Sequence, residues 1–277
     1  MRVVQKTVKI AIIGGGVMGC CLLGGLLKKA FLPENILVAD HRPENCLAIQ
    51  KKWNVETTTD NKHVAALADI LILAVKPQSM REVVEQIAPT FNSQKTLLIS
   101  IAAGITTTQI QQWIQTSVSI VRAMPNTPAL YGVGITGLFA NPHVSSFQRE
   151  QSNELLLSVG DTVWIADENL MDSVTALSGS GPAYFFYVME CLIKSAHALG
   201  LPLDIARKLT YQTALGSAVM ALQSNDNIAT LRENVTSPGG TTQEGINVLK
   251  GGKLEDLLLR TLEAATTRGK SLSKQYD

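Results

Sequence analysis

Short apolar runs alternate with longer amphipathic stretches along the first 166 residues of the chain. The runs are rich in Ile, Val and Leu and are bounded by turn residues, which is typical of buried strands in a parallel sheet. We predict strands at residues 8–13, 36–39, 70–75, 96–101, 118–123, 134–139 and 162–165, with a helix at 145–158. This alternation predicts an α/β fold with a doubly wound sheet of the Rossmann type.

The strand pattern stops after residue 166, and apolar positions then recur at helical spacing. Three long helical stretches are predicted at residues 183–199, 205–222 and 254–272. We therefore predict a dinucleotide-binding domain at residues 1–166, followed by an all-α substrate-binding and dimerisation domain at residues 167–277.

The predicted helices are apolar over more than one face. Ala214, Gly216, Ala218 and Ala221 would let another helix approach closely. We expect a second subunit to bury part of this surface, and a bundle packed only within one chain is the alternative.

Composition excludes several classes of protein. With 45% hydrophobic and 17% charged residues and a net charge of +1, the chain lacks the basic surface of a nucleic-acid-binding protein. Arg2, Lys6 and Lys9 precede an apolar run that lacks a signal-peptide cleavage site, and no apolar stretch approaches the about 20 residues of a membrane span. The four cysteines form no CxxC pair. We expect a cytoplasmic protein with no membrane or nucleic-acid partner and no metal site.

A glycine-rich turn follows the first predicted strand. In GGGVMG, Gly14, Gly16 and Gly19 occupy the GxGxxG positions, Val17 and Met18 lie between the last two glycines, and a helix is predicted to follow. The first glycine permits the tight turn, the second lets a pyrophosphate approach the backbone, and the third permits close helix packing. The turn therefore predicts a dinucleotide site.

Residues after the second strand bear on the choice of cofactor. Asp40 could bind the ribose 2′-hydroxyl of NADH, whereas Arg42 could hold the 2′-phosphate of NADPH, and Asn61 could add a hydrogen bond near the same ribose. Asp40 could instead only begin a turn. The sequence leaves the preference between NADPH and NADH open.

Three later loops follow predicted strands at the edge where such sheets bind ligands. AVKPQ contains Ala74, Lys76 and Pro77, IAAG contains Ala103, and RAMPNTPA contains Asn126. Lys76 could face the cofactor or solvent. The small side chains of IAAG leave room beside a flat ring, and the Asn126 amide suits a carboxamide, although a purely structural turn is the alternative.

The run SPGGTT, residues 237–242, precedes a helical stretch in the second predicted domain. A turn that ends in glycine at a helix start leaves backbone N–H groups free to bind an anion such as a carboxylate. Ser237 and Thr242 add hydroxyl groups. An ordinary capped helix is the alternative.

Taken in order, GGGVMG, AVKPQ, ISIAAG, RAMPNTPA, ALSGSGPAYFF and SPGGTT resemble the pyrroline-5-carboxylate reductase family. The resemblance covers nearly the whole chain. It implies reduction of 1-pyrroline-5-carboxylate to L-proline with NADPH or NADH, the last step of proline biosynthesis. It also implies a homodimer with interleaved C-terminal helices and shared active sites. Whether such dimers assemble into larger oligomers stays open.

The resemblance also implies roles for individual residues. Thr242 would bond the ring nitrogen of the substrate, and Ser237 with the backbone of Gly240 and Thr241 would bind its carboxylate. Ser180, within SGSGPAY, would line the pocket. Because a protonated cyclic imine already accepts hydride, positioning should dominate catalysis, and the four histidines are expected to be structural.

Two other functions are alternatives to the reductase. A β-hydroxyacid dehydrogenase shares the sheet-plus-helices plan, but Phe185 and Met189 stand near the places of its Lys and Asn, which argues against alcohol oxidation. A non-catalytic dinucleotide sensor would bind cofactor without turnover.

Overall fold

The computed structural model describes residues 8–276, with no side-chain description at residue 276. The N-terminal Arg2 and Lys6 of the sequence analysis, and the outermost residues of both predicted domains, lie outside the described residues. Within the described part, contacts divide the chain into two compact units. We call Met1–Ser180 with Ala265–Asp277 the sheet unit and Gly181–Ala264 the helical unit.

The sheet unit contains one eight-stranded sheet, and its strand order is β3-β2-β1-β4-β5-β6-β7-β8. The strands are β1 (Ile10–Ile13), β2 (Ile36–Ala39), β3 (Glu56–Thr58), β4 (Ile70–Leu73), β5 (Leu97–Ser100), β6 (Ile120–Met124), β7 (Gly134–Ala140) and β8 (Gly160–Trp164). Every neighbouring pair is parallel except β6 with β7. The first six strands have the order of a dinucleotide-binding sheet, which confirms the predicted fold class.

Helices cover both faces of this sheet. They are α1 (Val17–Lys28), α2 (Pro43–Trp53), α3 (Asn61–Leu67), α4 (Pro77–Ile87), α5 (Thr107–Ile114) and α6 (Ser146–Leu156). Alternate residues of β1 enter opposite cores, Ile10 and Ile12 on one face and Ala11 and Ile13 on the other. Because both faces are covered, the central strands are continuously apolar rather than alternating.

Later helices follow the sheet. They are α7 (Met171–Val174), α8 (Gly181–Ala198), α9 (Leu203–Gln223), α10 (Ile228–Asn234), α11 (Thr241–Gly251) and α12 (Leu254–Ser273). The three long predicted helices agree with α8, α9 and α12 to within two residues at each end. No helix among residues 8–276 has the length and hydropathy needed to cross a bilayer.

The segment before α8 packs on the sheet unit. Arg122 of β6 is buried and lies 3.4 Å from Glu168 and 3.2 Å from Asp172. Glu168 in turn accepts hydrogen bonds from the backbone and hydroxyl of Thr107 at 2.8 and 2.7 Å. These contacts explain why the compact units divide at residue 180, whereas the domain boundary after residue 166 stays a prediction.

Candidate functional site

The carboxyl ends of the parallel strands bring the predicted cofactor residues of the sheet unit to one edge. β1 pairs with β2 on one side and β4 on the other, so the chain reverses its winding direction between β1 and β4. Gly14, Asp40 and Ala74 each follow one of these three strands directly. Open α/β sheets bind ligands in the crevice at such a reversal.

The three motif glycines have three different surroundings. Gly14 has φ +107°, and a Cβ there would lie 2.5 Å from the Ala74 carbonyl oxygen. A Cβ on Gly19 would lie 2.0 Å from the Gly14 carbonyl oxygen, whereas one on Gly16 would meet no atom within 4 Å. Gly14 and Gly19 are therefore required by the turn and its packing, and Gly16 leaves open space in front of the backbone.

That open space lies at the start of α1. Gly16 is the N-cap and supplies no side-chain hydrogen bond, and Gly16 and Val17 are exposed while Met18 is half-buried. The first backbone N–H groups of a helix lack intrahelical acceptors and carry partial positive charge. The residues present therefore fit the phosphates of a dinucleotide.

Asp40 is buried and holds the glycine turn. Its Oδ2 accepts hydrogen bonds from Gly15 N and Asn45 Nδ2, both at 2.9 Å, and its Oδ1 accepts from Arg42 N at 3.0 Å and Arg42 Nε at 3.2 Å. Burial raises the pKa of the Asp40 carboxyl, but the hydrogen bonds from Arg42, Asn45 and Gly15 outweigh burial and leave that pKa below its ordinary value. Asp40 is therefore a buried carboxylate stabilised in its charged form.

Sequence reasoning missed Gly15 and Asn45 as parts of this arrangement. Asn45 Nδ2 also donates to the Gly15 carbonyl at 2.9 Å, so it links the glycine turn to Asp40. The signal available in the sequence was Asn five residues after a strand-end Asp, which places its amide in the first turn of α2.

The predicted residues around β4 lie in three different settings. Asn61 is the first residue of α3, and its Nδ2 donates to Gln86 Oε1 at 2.8 Å. Lys76 is exposed at the N-cap of α4, and Pro77 occupies the first helical position, which suits its fixed φ. The strand ends at Leu73, two residues earlier than predicted, because α4 starts at Pro77 and needs a connection before it.

Two loops follow β5 and β6. Ala103 is half-buried and precedes Gly104, which has φ +75° and accepts a hydrogen bond from Ser273 Oγ at 2.6 Å. Asn126 is buried; its Nδ2 donates to the Ser178 carbonyl at 3.1 Å, and its Oδ1 accepts from Ile135 N at 3.0 Å. Asn126 thus connects its loop to the segments that contain Ser178 and Ile135. Its amide has two N–H groups, and the second one remains for a ligand.

Ser180 ends the sheet unit just before α8. It is half-buried, and its backbone N–H donates to the Thr175 carbonyl at 2.8 Å, which closes a π-helical turn over Thr175–Gly179. Such turns are frequent at functional sites.

In the helical unit, SPGGTT forms a tight turn into α11. Gly240 N donates to the Ser237 carbonyl at 3.0 Å, and Gly239 has φ +68°, which favours glycine. Gly240 is the N-cap and gives no side-chain hydrogen bond; Thr241 and Thr242 follow it as the first helical residues. Ser237, Thr241 and Thr242 are all exposed.

The chain matches two family models. The model described as pyrroline-5-carboxylate reductase dimerisation matches residues 168–272, and that described as NADP oxidoreductase coenzyme F420-dependent matches residues 9–104.

Relatives match over nearly their whole length. The pyrroline-5-carboxylate reductase of Pseudomonas aeruginosa is 41% identical over 271 residues, which covers 98% of this chain and 99% of the relative. A solved pyrroline-5-carboxylate reductase from Coxiella burnetii has a TM-score of 0.92 and 41% identity, with 96% of this chain and 98% of that chain covered. The Plasmodium falciparum pyrroline carboxylate reductase, solved with NADP bound, has a TM-score of 0.86 and 30% identity. The match covers 98% of this chain and 100% of that chain.

These matches and the NADP oxidoreductase model agree with the glycine turn and the reversal of winding in the sheet. The protein is an NAD(P)H-dependent oxidoreductase. On identities of this size across the full length, the chain belongs to the pyrroline-5-carboxylate reductase family.

Proposed function

We propose that this protein reduces 1-pyrroline-5-carboxylate to L-proline with NADPH or NADH, as the last step of proline biosynthesis. The observation that carries the proposal is the full-length match to reductases of this name, in a chain whose glycine turn has open space at Gly16. The uncapped, exposed turn at residues 237–242 supports it, because the substrate carries a carboxylate.

The proposed cofactor residues divide by the part of the dinucleotide that they contact. Backbone N–H groups of Val17 and Met18 bind the pyrophosphate at the helix start, and Gly16 gives it access. We assign Arg42 and Asn61 to the adenosine ribose of the cofactor. A bound nicotinamide supplies a hydride, and the backbone and side chains around it fix its orientation. We assign this orienting role to Ala74, Lys76, Pro77, Ala103 and Asn126.

The proposed substrate residues are those of the exposed turn, with Ser180 in addition. Ser237 and the backbone of Gly240 and Thr241 bind the carboxylate, and Ser180 lines the pocket. Backbone N–H groups at an uncapped helix start favour an anion without a lysine or arginine beside it.

Thr242 is the proposed catalytic residue. Reduction adds a hydride to the imine carbon and leaves the former imine nitrogen as a secondary amine; with the proton already on that nitrogen, the charges balance. The Thr242 hydroxyl can bond the ring nitrogen as its charge and geometry change. Because no strong acid is required, a hydroxyl and good positioning are sufficient.

The assembly is a further part of the proposal. The dimerisation model covers the helical unit, and the protein is a homo-oligomer. We propose that the C-terminal helices of two chains interleave, with larger oligomers built from such dimers. The support is the exposed apolar surface of the helical unit, which includes Phe185 at 68% and Leu222 at 86% exposure.

We also propose a cytoplasmic location. Cys20, Cys21, Cys46 and Cys191 are all free thiols, as expected for a reducing compartment. Fractionation of the source cells, with the protein detected by antibody, tests this.

The reduction is tested by mixing the purified protein with 1-pyrroline-5-carboxylate and either NADPH or NADH. We expect the nicotinamide absorbance to fall and L-proline to form in equal amounts. A 3-hydroxy acid with NADP⁺ is the matched control for a β-hydroxyacid dehydrogenase. Cofactor binding without oxidation by any substrate would contradict the proposal and favour a dinucleotide sensor.

A further inference from the structure

The loop between β5 and α5, residues 101–106, contains Ala103, which we assign to the nicotinamide. Ala102, Gly104 and Ile105 of this loop are buried, and Ala103 is half-buried among them. A loop can orient a flat ring only if its own backbone is held in place by the residues around it. The residues that hold this loop therefore matter to the cofactor site even where they do not contact the cofactor.

The last residue of α12 lies against this loop. Ser273 Oγ donates a hydrogen bond to the Gly104 carbonyl at 2.6 Å, although the two residues are 169 positions apart in the chain. A Cβ on Gly104 would lie 3.6 Å from Ser273 N and 3.7 Å from Leu272 Cβ, which is ordinary van der Waals contact. The end of α12 thus packs directly on the bend of the loop.

Gln109 connects Ser273 to the other end of the same loop. Its Oε1 accepts hydrogen bonds from Thr106 N at 2.9 Å and Thr106 Oγ1 at 3.1 Å, within the capping box at the start of α5. Its Nε2 donates to the Ser273 carbonyl at 3.0 Å. That carbonyl is at the end of α12, where backbone C=O groups lack intrahelical donors. Ser273 therefore holds the loop at two points, directly at Gly104 and through Gln109 at Thr106.

We propose that Ser273 is a positioning residue for hydride transfer: together with Gln109, it fixes the loop of residues 101–106 against which the nicotinamide ring lies. It acts through the Gly104 carbonyl rather than on the reacting atoms. Without the Ser273 hydroxyl, the loop has to be ordered at the expense of binding free energy when the ring binds. The proposal rests on the proposed function in placing the nicotinamide at Ala103, but it does not depend on which substrate is reduced.

The test measures how much the nicotinamide ring contributes to binding. Isothermal titration calorimetry on the full-length protein compares NADPH with 2′-phospho-ADP-ribose, and NADH with ADP-ribose. Each fragment keeps the pyrophosphate and lacks the ring. In Ser273→Ala, we expect the affinity for the whole cofactor to fall about 5-fold, the scale of one neutral hydrogen bond, while the affinity for the fragment is unchanged. An equal fall for cofactor and fragment, or no fall for either, would overturn the proposal.

Three further variants separate positioning from a general effect on the fold. Ser273→Thr keeps the hydroxyl and should restore the ratio of cofactor affinity to fragment affinity. Gln109→Glu keeps an oxygen acceptor for Thr106 but removes the donor to the Ser273 carbonyl, so it should lower that ratio as Ser273→Ala does. Ser271→Ala is the matched control, because Ser271 is also half-buried in the last turn of α12 and its hydroxyl donates to the Arg268 carbonyl of the same helix at 2.8 Å.

A ratio that falls equally in Ser271→Ala, or that Ser273→Thr fails to restore, would contradict the role of the Ser273 hydroxyl. Should Ser273→Ala fail to fold, Gln109→Glu tests the same support of the loop by the same ratio.

Failure of this proposal is distinguishable from failure of the proposed function. The binding measurements require no substrate, so the ratio can be measured even in a protein that does not reduce 1-pyrroline-5-carboxylate. With that substrate, Ser273→Ala should lower kcat and leave the KM for 1-pyrroline-5-carboxylate unchanged, because hydride transfer requires an oriented ring. A change in this KM at constant kcat would contradict the positioning role of Ser273.

Discussion

The two units of this chain differ in how many of their apolar residues are buried within a single chain. In the sheet unit, β1, β2, β4 and β5 are buried at every residue, and helices cover both faces. Between residues 181 and 264, all of which the structure describes, Ile193 and Ala206 are the only buried hydrophobic residues. Large apolar residues such as Phe186, Leu215 and Leu258 are exposed there.

The sheet unit therefore buries its core within a single chain, whereas the helical unit does not. Exposed apolar surface on this scale marks an interface with another molecule, and the match to a dimerisation family identifies a second copy. Cofactor binding should therefore depend on the sheet unit alone. Turnover should also require the partner.

The largest expected effect comes from placing a charge on the apolar surface of the helical unit. Leu215→Asp would bury an unpaired carboxylate in the dimer, at a cost of several kcal/mol, and should dissociate it. We expect a monomer by light scattering that still binds NADPH but turns over at least about 100-fold more slowly, since a cost of several kcal/mol leaves few dimers.

Leu47→Asp is the matched control for that variant. Leu47 is a leucine of the sheet unit with 66% exposure, against 58% for Leu215. It should leave the oligomeric state unchanged. Dissociation by both variants, or by neither, would contradict a dimer interface on the apolar surface of the helical unit.

A cavity in the sheet core should lower stability without weakening the dimer. Leu71 on β4 is completely buried, so Leu71→Ala should cost about 2–5 kcal/mol in the free energy of unfolding. Its counterpart is Leu257→Ala, at a half-exposed position of α12, which should mainly raise the dissociation constant of the dimer. Urea unfolding measures the change in stability, and analytical ultracentrifugation measures the dissociation constant. A weaker dimer in Leu71→Ala with a stability loss only in Leu257→Ala would contradict these assignments.

Thr242→Ala should lower turnover by about 10²-fold with the fold intact, the scale of losing one well-placed transition-state hydrogen bond. Thr242→Ser keeps the hydroxyl and should retain most activity. NADPH affinity should be the same in both variants. Unchanged turnover in folded Thr242→Ala would remove Thr242 from the mechanism.

The smallest expected effect is on the pH dependence of stability. The folded-state pKa of Asp40 lies below its ordinary value of about 3.9, so its hydrogen bonds stabilise the folded state fully above that value. This contribution is lost as the pH falls through the folded-state pKa. Asp40→Asn should therefore flatten the acid limb of a plot of unfolding free energy against pH, and an unchanged limb would contradict the assignment.

Local patterns predicted the fold well because burial on both faces produces continuous apolar runs. Seven strands were predicted, and β3 was missed because Glu56–Thr58 contains no apolar residue and lies at the sheet edge. The predicted ends of the long helices agree closely with α8, α9 and α12, whose apolar periodicity is strong.

The contacts of the site were harder to predict. Asp40 and Gly15 are 25 residues apart, and Asn126 and Ser178 are 52 apart. Motif position assigned Asp40 to the ribose and Asn126 to a carboxamide, but it could not show which of their hydrogen-bonding atoms the protein already uses. Whether the protein already uses such an atom depends on packing between distant segments, which no local sequence pattern contains.

The proposed reaction is the transfer of a hydride from NAD(P)H to the imine carbon of 1-pyrroline-5-carboxylate. The most direct measurement uses cofactor deuterated at the transferring position of nicotinamide C4 and analyses the product by mass spectrometry and NMR. We predict L-proline with one deuterium, on the ring carbon that was the imine carbon. Unlabelled product, or deuterium at another carbon, would contradict the claim.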